Sequence, residues 1–329
     1  MPPLCRPHRT HRPVITLLCR PTEPSEVDPF THAIAAAVLA DALGLPALVP
    51  FAVLGSVIID VDAFFSRLSD PHPALYLFVH GGIAHGLAGA AGMAVLAWAG
   101  LLLTGLAGLL PLAIPSTTGF AAVLAGAYLH LGLDWLACPG LPLLAPFSDQ
   151  KYTLGLLPGP SLVLFLLSTA VLSLLATGTA TVDTLRLPAA AIAGAFFFIR
   201  IVAFALAHHR PGTAGRLVPT IHPLRWLVIA ETPGAWSVAG YRIGSGTVDL
   251  STYPKYREVS PGEATQYLAH PRARRVRYHS YITTVECDGD AVVVADPVRE
   301  AGLVRYPFDH QRARLPLMKP AAGCPDGGS

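Results

Sequence analysis

The segment HLGLDWLACPGLPLLAPFSD, residues 130–149, carries two ionisable side chains in an apolar run, followed by a turn-rich loop. His130 and Asp134 are spaced i, i+4, so on a helix both side chains project from the same face. Ionisable groups at membrane depth cost a few kcal/mol or more each, and they persist where they pair, line a wet cavity or bind a ligand. The pair therefore predicts either two ligands of one metal ion or a hydrogen-bonded link between two helices.

Similar groups occur upstream, and imidazoles and carboxylates are the ligands that zinc and manganese sites use. These further candidates are His32, Asp60, Asp62, His80 and His85. Asp60 and Asp62 alternate at the end of an apolar segment, where they could hold a cation or form a solvated helix end. His80 and His85 flank a glycine pair whose backbone freedom lets two imidazoles converge on one ion. The hypothesis is a divalent metal site, zinc or manganese, in membrane helices.

Composition predicts two domains. With 329 residues, 52% apolar residues, 13% charged residues and a mean hydropathy of +0.50, the chain is too hydrophobic for an ordinary soluble domain. We expect a mainly α-helical polytopic membrane domain over 28–210 and a small, mostly β domain over 211–319, where short β-prone runs replace the apolar ones. Residues 1–27 and 320–329 are expected to be a disordered extension and a disordered tail. The cysteines have no CxxC spacing and indicate neither a disulfide framework nor a thiolate zinc site.

The apolar segments predict the topology of the membrane domain. Four of them are about as long as a bilayer core requires, ~17 to 25 residues. They span residues 83–103, 119–136, 161–176 and 187–206. The first apolar segment, 30–59, is longer and is interrupted by Gly-Leu-Pro at 44–46, which fits either a kinked single span or a helical hairpin.

The candidate ligands can meet only in one of these topologies. Asp60, Asp62, His80 and His85 flank one loop, and two spans later His130 and Asp134 return to the same side. His32 reaches them only if the first segment doubles back, so we favour the hairpin. Both arginine-bearing termini then lie on the side of the site, which the positive-inside rule assigns to the cytoplasm.

Four stretches of the chain resemble the membrane-bound metal-dependent hydrolases related to the inner-membrane protein YdjM. They are DPFTHAIAAAVLA, GSVIIDVD, HGGIAHGL and HLGLDWLACPGLPLLAPFSDQKYTLGLLPGPS. They correspond in order to family patterns of the type TH, PDxD, HRGxTHS and HxxxDxxxxxGxxxLxPFSxxxYxLG, over residues 28–161. The resemblance implies a metal site at His32, Asp60, Asp62, His80, His85, His130 and Asp134.

The chain departs from the family patterns beside these ligands. Gly81 replaces an arginine, Ala84 a threonine, Gly86 a serine and Ile59 a proline. The lost guanidinium and hydroxyls could have oriented a substrate or a phosphate. Metal binding is therefore better supported by the resemblance than catalysis.

The expected chemistry is hydrolysis of an ester or phosphoester, and the expected substrate is lipid-like because the site opens at the edge of the bilayer. A bound metal lowers the pKa of its water to about 7 and polarises a carbonyl or phosphoryl oxygen, and Asp134 or Asp62 is the candidate general base. The bilayer is the expected partner, and the basic run 272–277 is assigned to water or anionic headgroups and not to nucleic acid. Two alternatives stay open: a proton- or ion-coupled transporter, and a non-catalytic scaffold with a structural metal.

Overall fold

The structure, a computed structural model, describes residues 27–65, 71–109, 117–159, 161–209, 215–304 and 310–318. The predicted extension, apart from Val27, and the predicted tail lie outside these ranges. The described chain consists of a helical N-terminal region followed by a β-rich C-terminal region of two small sheets. This arrangement confirms the predicted fold class.

Six α-helices form the described part of the N-terminal region. They are α1 (Pro29–Ala42), α2 (Val49–Ile58), α3 (Leu87–Leu106), α4 (Thr117–Asp134), α5 (Leu162–Ala176) and α6 (Val182–His208). Three helical stretches are long and apolar enough to cross a membrane: Pro46–Phe65, which contains α2, together with α3 and α6. At 1.5 Å per residue, 20 residues span about 30 Å, the thickness of a bilayer core. Helices α1 and α5 are apolar but shorter, at 14 and 15 residues.

The first apolar segment doubles back, as the hairpin interpretation requires. Helix α1 ends at Ala42, Gly44 adopts a left-handed φ of +72°, and a 3₁₀ turn over Pro46–Leu48 leads into α2. The Ser56 hydroxyl near the end of α2 donates to the His32 carbonyl near the start of α1, at 3.1 Å. The hairpin is therefore confirmed, and it returns the end of α2 to the first turn of α1.

Small residues bring α2 and α4 into direct backbone contact. A Cβ added at Gly55 would lie 1.8 Å from the Val123 carbonyl oxygen, and one added at Gly126 would lie 2.0 Å from that of Ala52. Small residues allow such close approach of helices in membranes. This packing sets Asp60, just beyond α2, beside His130 on α4.

The C-terminal region contains two four-stranded sheets. The first has the order β1 (Arg216–Pro219), β2 (Arg225–Glu231), β3 (Ala235–Arg242), β4 (Gly246–Pro254), and all its pairs are antiparallel. The second has the order β5 (Tyr256–Arg257), β6 (Thr284–Asp288), β7 (Ala291–Ala295), β8 (Arg312–Pro316), and only its β5–β6 pair is parallel. Helices α7 (Pro261–Ala269) and α8 (Pro271–His279) pack against the second sheet. Val298 of α9 (Pro297–Glu300) is buried with residues of the first sheet.

The two regions share a packed junction. Ala203 and Ala207 of α6 are buried against Leu217, Trp226 and Val228 of the first sheet. Transfer of such apolar surface out of water is the main stabilising term at this junction. The C-terminal region therefore continues directly from the last membrane helix.

Two local predictions for the C-terminal region were wrong. Residues 278–287 are a β-prone run in the sequence, which predicts a single strand over the whole run. In the structure Tyr278 and His279 are the last residues of helix α8, and the strand begins at Thr284. The cysteine pattern gave no sign of a disulfide, yet Cys287 is disulfide-bonded. Neither spacing nor β-propensity carries information about these long-range contacts.

Candidate metal centre

All seven candidate ligands lie at one end of the helical region. His32 is in the first turn of α1, and Asp60 and Asp62 form a 3₁₀ turn that continues α2. His80 and His85 lie in the connection before α3, where His85 closes a 3₁₀ turn. His130 and Asp134 occupy the last turns of α4. The topology thus brings together groups separated by up to 102 positions, from His32 to Asp134.

Three side chains could hold one ion between them: Asp60, His85 and His130. The Nε2 atoms of His85 and His130 are 3.2 Å apart, and the Asp60 Oδ1 atom lies 3.7 Å from the first and 3.6 Å from the second. Two ligand atoms on one tetrahedral zinc ion, each about 2.0–2.1 Å from the metal, lie about 3.3 Å apart. The three atoms are therefore spaced as ligands of one ion would be.

Asp134 lies beside this group. Its Oδ2 atom is 3.1 Å from His130 Nε2 and 3.5 Å from His85 Nε2. Its Oδ1 atom accepts a hydrogen bond from the Val27 backbone amide at 2.9 Å and lies 3.2 Å from His32 Nε2. One carboxylate therefore faces both the three-residue group and His32.

Hydrogen bonds orient the two imidazoles of the group. His130 Nδ1 lies 2.7 Å from the Ser56 carbonyl oxygen, which can only accept, so Nδ1 carries the proton and the Nε2 lone pair faces the centre. His85 Nδ1 lies 2.9 Å from Asp62 Oδ2, and a carboxylate in this position selects the same tautomer. Both rings are thereby set to bind a metal through Nε2.

Asp62 holds two histidines with its two oxygens. While Oδ2 faces His85, Oδ1 lies 2.7 Å from His80 Nδ1. Asp62, His80 and His85 form a second set whose ligand atoms could hold an ion, and His32, His130 and Asp134 form a third. The Asp60 set shares His85 with the second set and His130 with the third, so the three sets form one continuous centre.

Several buried polar atoms here have no hydrogen-bond partner in the described chain. They are both ring nitrogens of His32, both carboxylate oxygens of Asp60 and the Oδ2 atom of Asp134. A buried polar group without a partner costs about 1–3 kcal/mol, and more when charged. A divalent cation held by Asp60, His85 and His130 would satisfy the Asp60 carboxylate, so the residues present fit a metal.

Glycines shape the turn that carries two of the histidines. Gly81 adopts φ +73°, which favours glycine over the arginine of the family pattern. A Cβ at Gly82 would lie 2.1 Å from the Leu77 carbonyl oxygen. The departure at Gly81 therefore has a local conformational reason.

Several contributors to the centre had no signal in the sequence. They are the Ser56 carbonyl, the Val27 amide and the hydroxyl of Tyr278, which donates to the Gly81 carbonyl at 2.9 Å. Backbone groups act regardless of residue type, and Tyr278 lies 197 positions from Gly81. Only the folded chain reveals them.

A helical membrane region with a buried His/Asp cluster defines an integral membrane protein with a possible metal site. The family model described as YdjM inner membrane protein matches residues 27–209, more than half of the chain. The chain therefore belongs to the YdjM inner membrane protein family, the membrane-bound metal-dependent hydrolases. No curated protein and no solved structure matches it significantly.

Proposed function

We propose that this protein is an integral-membrane hydrolase whose zinc or manganese ion is held by Asp60, His85 and His130. The observation that carries the proposal is the 3.2–3.7 Å spacing of their ligand atoms. Two imidazoles and one carboxylate match the three-ligand sets of hydrolytic zinc sites, which keep one position open.

A bound divalent ion would supply Lewis acidity and lower the pKa of a water molecule to about 7. Of the two predicted general bases, Asp134 is the better placed, because its Oδ2 atom accepts no hydrogen bond and lies beside both imidazoles. Asp62 has each oxygen against an imidazole Nδ1, so we assign it the orientation of His80 and His85. Asp134 would accept the proton of the attacking water.

An amphiphilic ester or phosphoester is the proposed substrate class. Large apolar side chains are exposed in the segments that carry or adjoin the ligands: Phe64 follows Asp62, Phe78 precedes His80, and Phe147 lies in the loop after α4. Acyl chains could pack against them while the polar head reaches the centre. This supports a lipid-like substrate over a small polar one.

We propose that the centre and the C-terminal region face the cytoplasm. Both lie at one end of the helical region, because the Tyr278 hydroxyl contacts Gly81 beside the ligand His80. Arg216 and Arg225 follow the last span closely, and such residues favour the cytoplasmic side. The disulfide of Cys287 opposes this orientation, since disulfides are rare in the cytoplasm. Trapping of thiols in intact cells decides between the two: a cytoplasmic region should yield reduced Cys287, and recovery of Cys287 only in the oxidised form would place the region outside.

The first test is elemental analysis of detergent-purified full-length protein. Wild type should carry near-stoichiometric zinc or manganese, whereas Asp60→Asn and His130→Ala should lose most of it. His208→Ala, an exposed residue at the C-terminal end of α6 that belongs to none of the three ligand sets, is the matched control and should retain the metal. Equal metal content in all four proteins contradicts the site.

Activity on the same samples separates hydrolysis from the alternatives. A panel of soluble and lipid phosphoesters and carboxylic esters should reveal metal-dependent turnover by wild type only. Metal without turnover favours the scaffold, and ion flux in proteoliposomes favours the transporter. The clustering of all seven groups at one end of the helical region, away from its middle, argues against transport.

A further inference from the structure

The C-terminal region reaches the metal centre through one side chain. Tyr278, in the last turn of α8, is 8% exposed and donates its hydroxyl proton to the Gly81 carbonyl oxygen at 2.9 Å. Gly81 is bonded directly to His80. A residue outside the family-matched part of the chain therefore fixes the backbone next to a candidate ligand.

A second contact joins the same surfaces. The Tyr76 hydroxyl accepts a hydrogen bond from Arg274 Nη2 at 2.7 Å and donates one to Asp149 Oδ2 at 2.8 Å. Arg274 belongs to α8, and Asp149 to the loop that follows α4. Tyr76 thus ties together three segments that are far apart in sequence.

The two tyrosines also pack against each other. The rings of Tyr76 and Tyr278 meet edge to face with centroids 5.6 Å apart, and Val79 is buried with them. The stretch they hold is a short, irregular 3₁₀ segment, Pro73–Phe78, with a non-helical residue at Leu75. Short 3₁₀ segments have poor hydrogen-bond geometry, so this one gains its order from packing.

The position of His80 is transmitted to the ligand set. Asp62 lies 2.7 Å from His80 Nδ1 with one oxygen and 2.9 Å from His85 Nδ1 with the other. Movement of the His80 backbone would therefore shift Asp62 and, with it, the hydrogen bond that orients His85. The path from α8 to a ligand is Tyr278, Gly81, His80, Asp62, His85.

We infer that helix α8 of the C-terminal region is a wall of the metal centre, in which Tyr278 acts as a positioning residue for His80 and sets the affinity of the site for its ion. The inference rests on the proposed metal site and goes beyond it, because it gives the C-terminal region a role in metal binding. It assigns that region no separate partner.

The test is the metal affinity of full-length Tyr278→Phe, which loses only the hydroxyl, measured by chelator competition with zinc and with manganese. Mutation of residues that hydrogen-bond a ligand directly changes the metal affinity about 10- to 100-fold. Tyr278 acts through Gly81, His80 and Asp62, so we expect a smaller effect, roughly three- to tenfold weaker binding. Tyr241→Phe, in strand β3 of the same region and buried with Ala203 and Ala207 of α6, is the control and should bind as wild type. The thermal midpoint of Tyr278→Phe in excess chelator should be lower, because the buried Gly81 carbonyl loses its donor; the binding titrations are therefore made at a temperature at which all three proteins are folded.

Arg274→Ala provides a second variant that leaves no cavity in the core. It removes the bond to Tyr76, whereas Arg272→Ala removes the same charge from an exposed position of the same helix. We expect weaker metal binding and faster amide exchange over residues 73–82 only in Arg274→Ala. Wild-type protein that binds no metal overturns the proposed function, whereas metal-binding wild type with unchanged Tyr278→Phe and Arg274→Ala overturns this inference alone.

Discussion

In the helical region the most exposed side chains include Leu187 at 74% and Phe198 at 68%, whereas in strand β7 Val292, Val293 and Val294 are at most 2% exposed. The helical region thus exposes large apolar side chains where the sheet buries them, as expected if lipid surrounds one region and water the other. The contrast extends to their buried carboxylates. Both oxygens of Asp60 have no hydrogen-bond partner in the described chain, whereas Asp296 accepts from the backbone amides of Tyr281, Val298 and Arg299.

These two aspartates show why burial alone does not identify a site. Asp296 caps helix α9, and backbone amides satisfy its carboxylate oxygens, so its role is structural. Asp60 lies among histidines whose lone pairs face it, so its oxygens remain available to an ion. The two carboxylates therefore differ in their partners: backbone amides satisfy that of Asp296, whereas that of Asp60 is left to an ion.

The largest expected effect is on catalysis. Asp134→Asn keeps an oxygen for the Val27 amide but removes the proposed proton acceptor, so kcat should fall about 10²- to 10⁴-fold. The metal content should remain near that of wild type, since Asp60, His85 and His130 are unchanged. Turnover is measured with the best substrate of the ester panel; full activity of the variant would remove Asp134 from the mechanism.

The next effect concerns the environment of each region. Phe198→Asp places a charge on an exposed face of α6, where membrane insertion should become less favourable by about 3 kcal/mol. Ile221→Asp, at 67% exposure in the C-terminal region, should change stability by no more than about 0.5 kcal/mol. The inserted fraction and the folded yield are compared in both variants. Equal tolerance of the two changes would contradict the assignment of lipid to one region and water to the other.

A smaller effect is expected from pH in the C-terminal region. Burial disfavours the charged carboxylate and raises the pKa of Asp296 from 3.8 to about 6, although hydrogen bonds from backbone amides oppose the rise. The folded protein therefore retains a proton that the unfolded chain releases, so this contribution is fully present below pH 3.8 and is lost as the pH rises through 6. The loss amounts to about 2–3 kcal/mol.

Denaturant unfolding at pH 4 and pH 7, followed by tryptophan fluorescence, measures this contribution. Asp296→Asn cannot ionise, so the stability of wild type relative to this variant should decrease as the pH rises. A difference that stays constant between the two pH values would exclude Asp296 as the source.

The division into a helical membrane region and a β-rich region could be predicted from the sequence, because the hydropathy of a segment reflects whether lipid or water surrounds it. The Gly-Leu-Pro interruption at 44–46 fitted either a kinked span or a hairpin, and the need to bring His32 to the other candidate ligands favoured the hairpin. The i, i+4 spacing placed His130 and Asp134 on one face. The roles of these residues as ligands or base stay predictions. The sequence did not reveal that Asp62 lies against two imidazoles, because that depends on which oxygen faces which ring, nor that α8 contacts the ligand turn, because residues 197 positions apart leave no local pattern.

The last prediction concerns the helix contact that brings the ligands together. Gly126→Ala would put a Cβ 2.0 Å from the Ala52 carbonyl oxygen, so α2 and α4 must move apart. Overpacking of this kind costs typically 1–3 kcal/mol, and we expect about 2 kcal/mol here. Gly132→Ala on the same helix meets nothing within 4 Å and should be neutral or slightly stabilising, since alanine favours a helix. Because α2 leads to Asp60 and α4 carries His130, Gly126→Ala should also weaken metal binding, whereas Gly132→Ala should not. Denaturation in detergent and chelator competition measure the two effects; identical behaviour of the two variants would show that close approach of α2 and α4 does not set the spacing of the ligands.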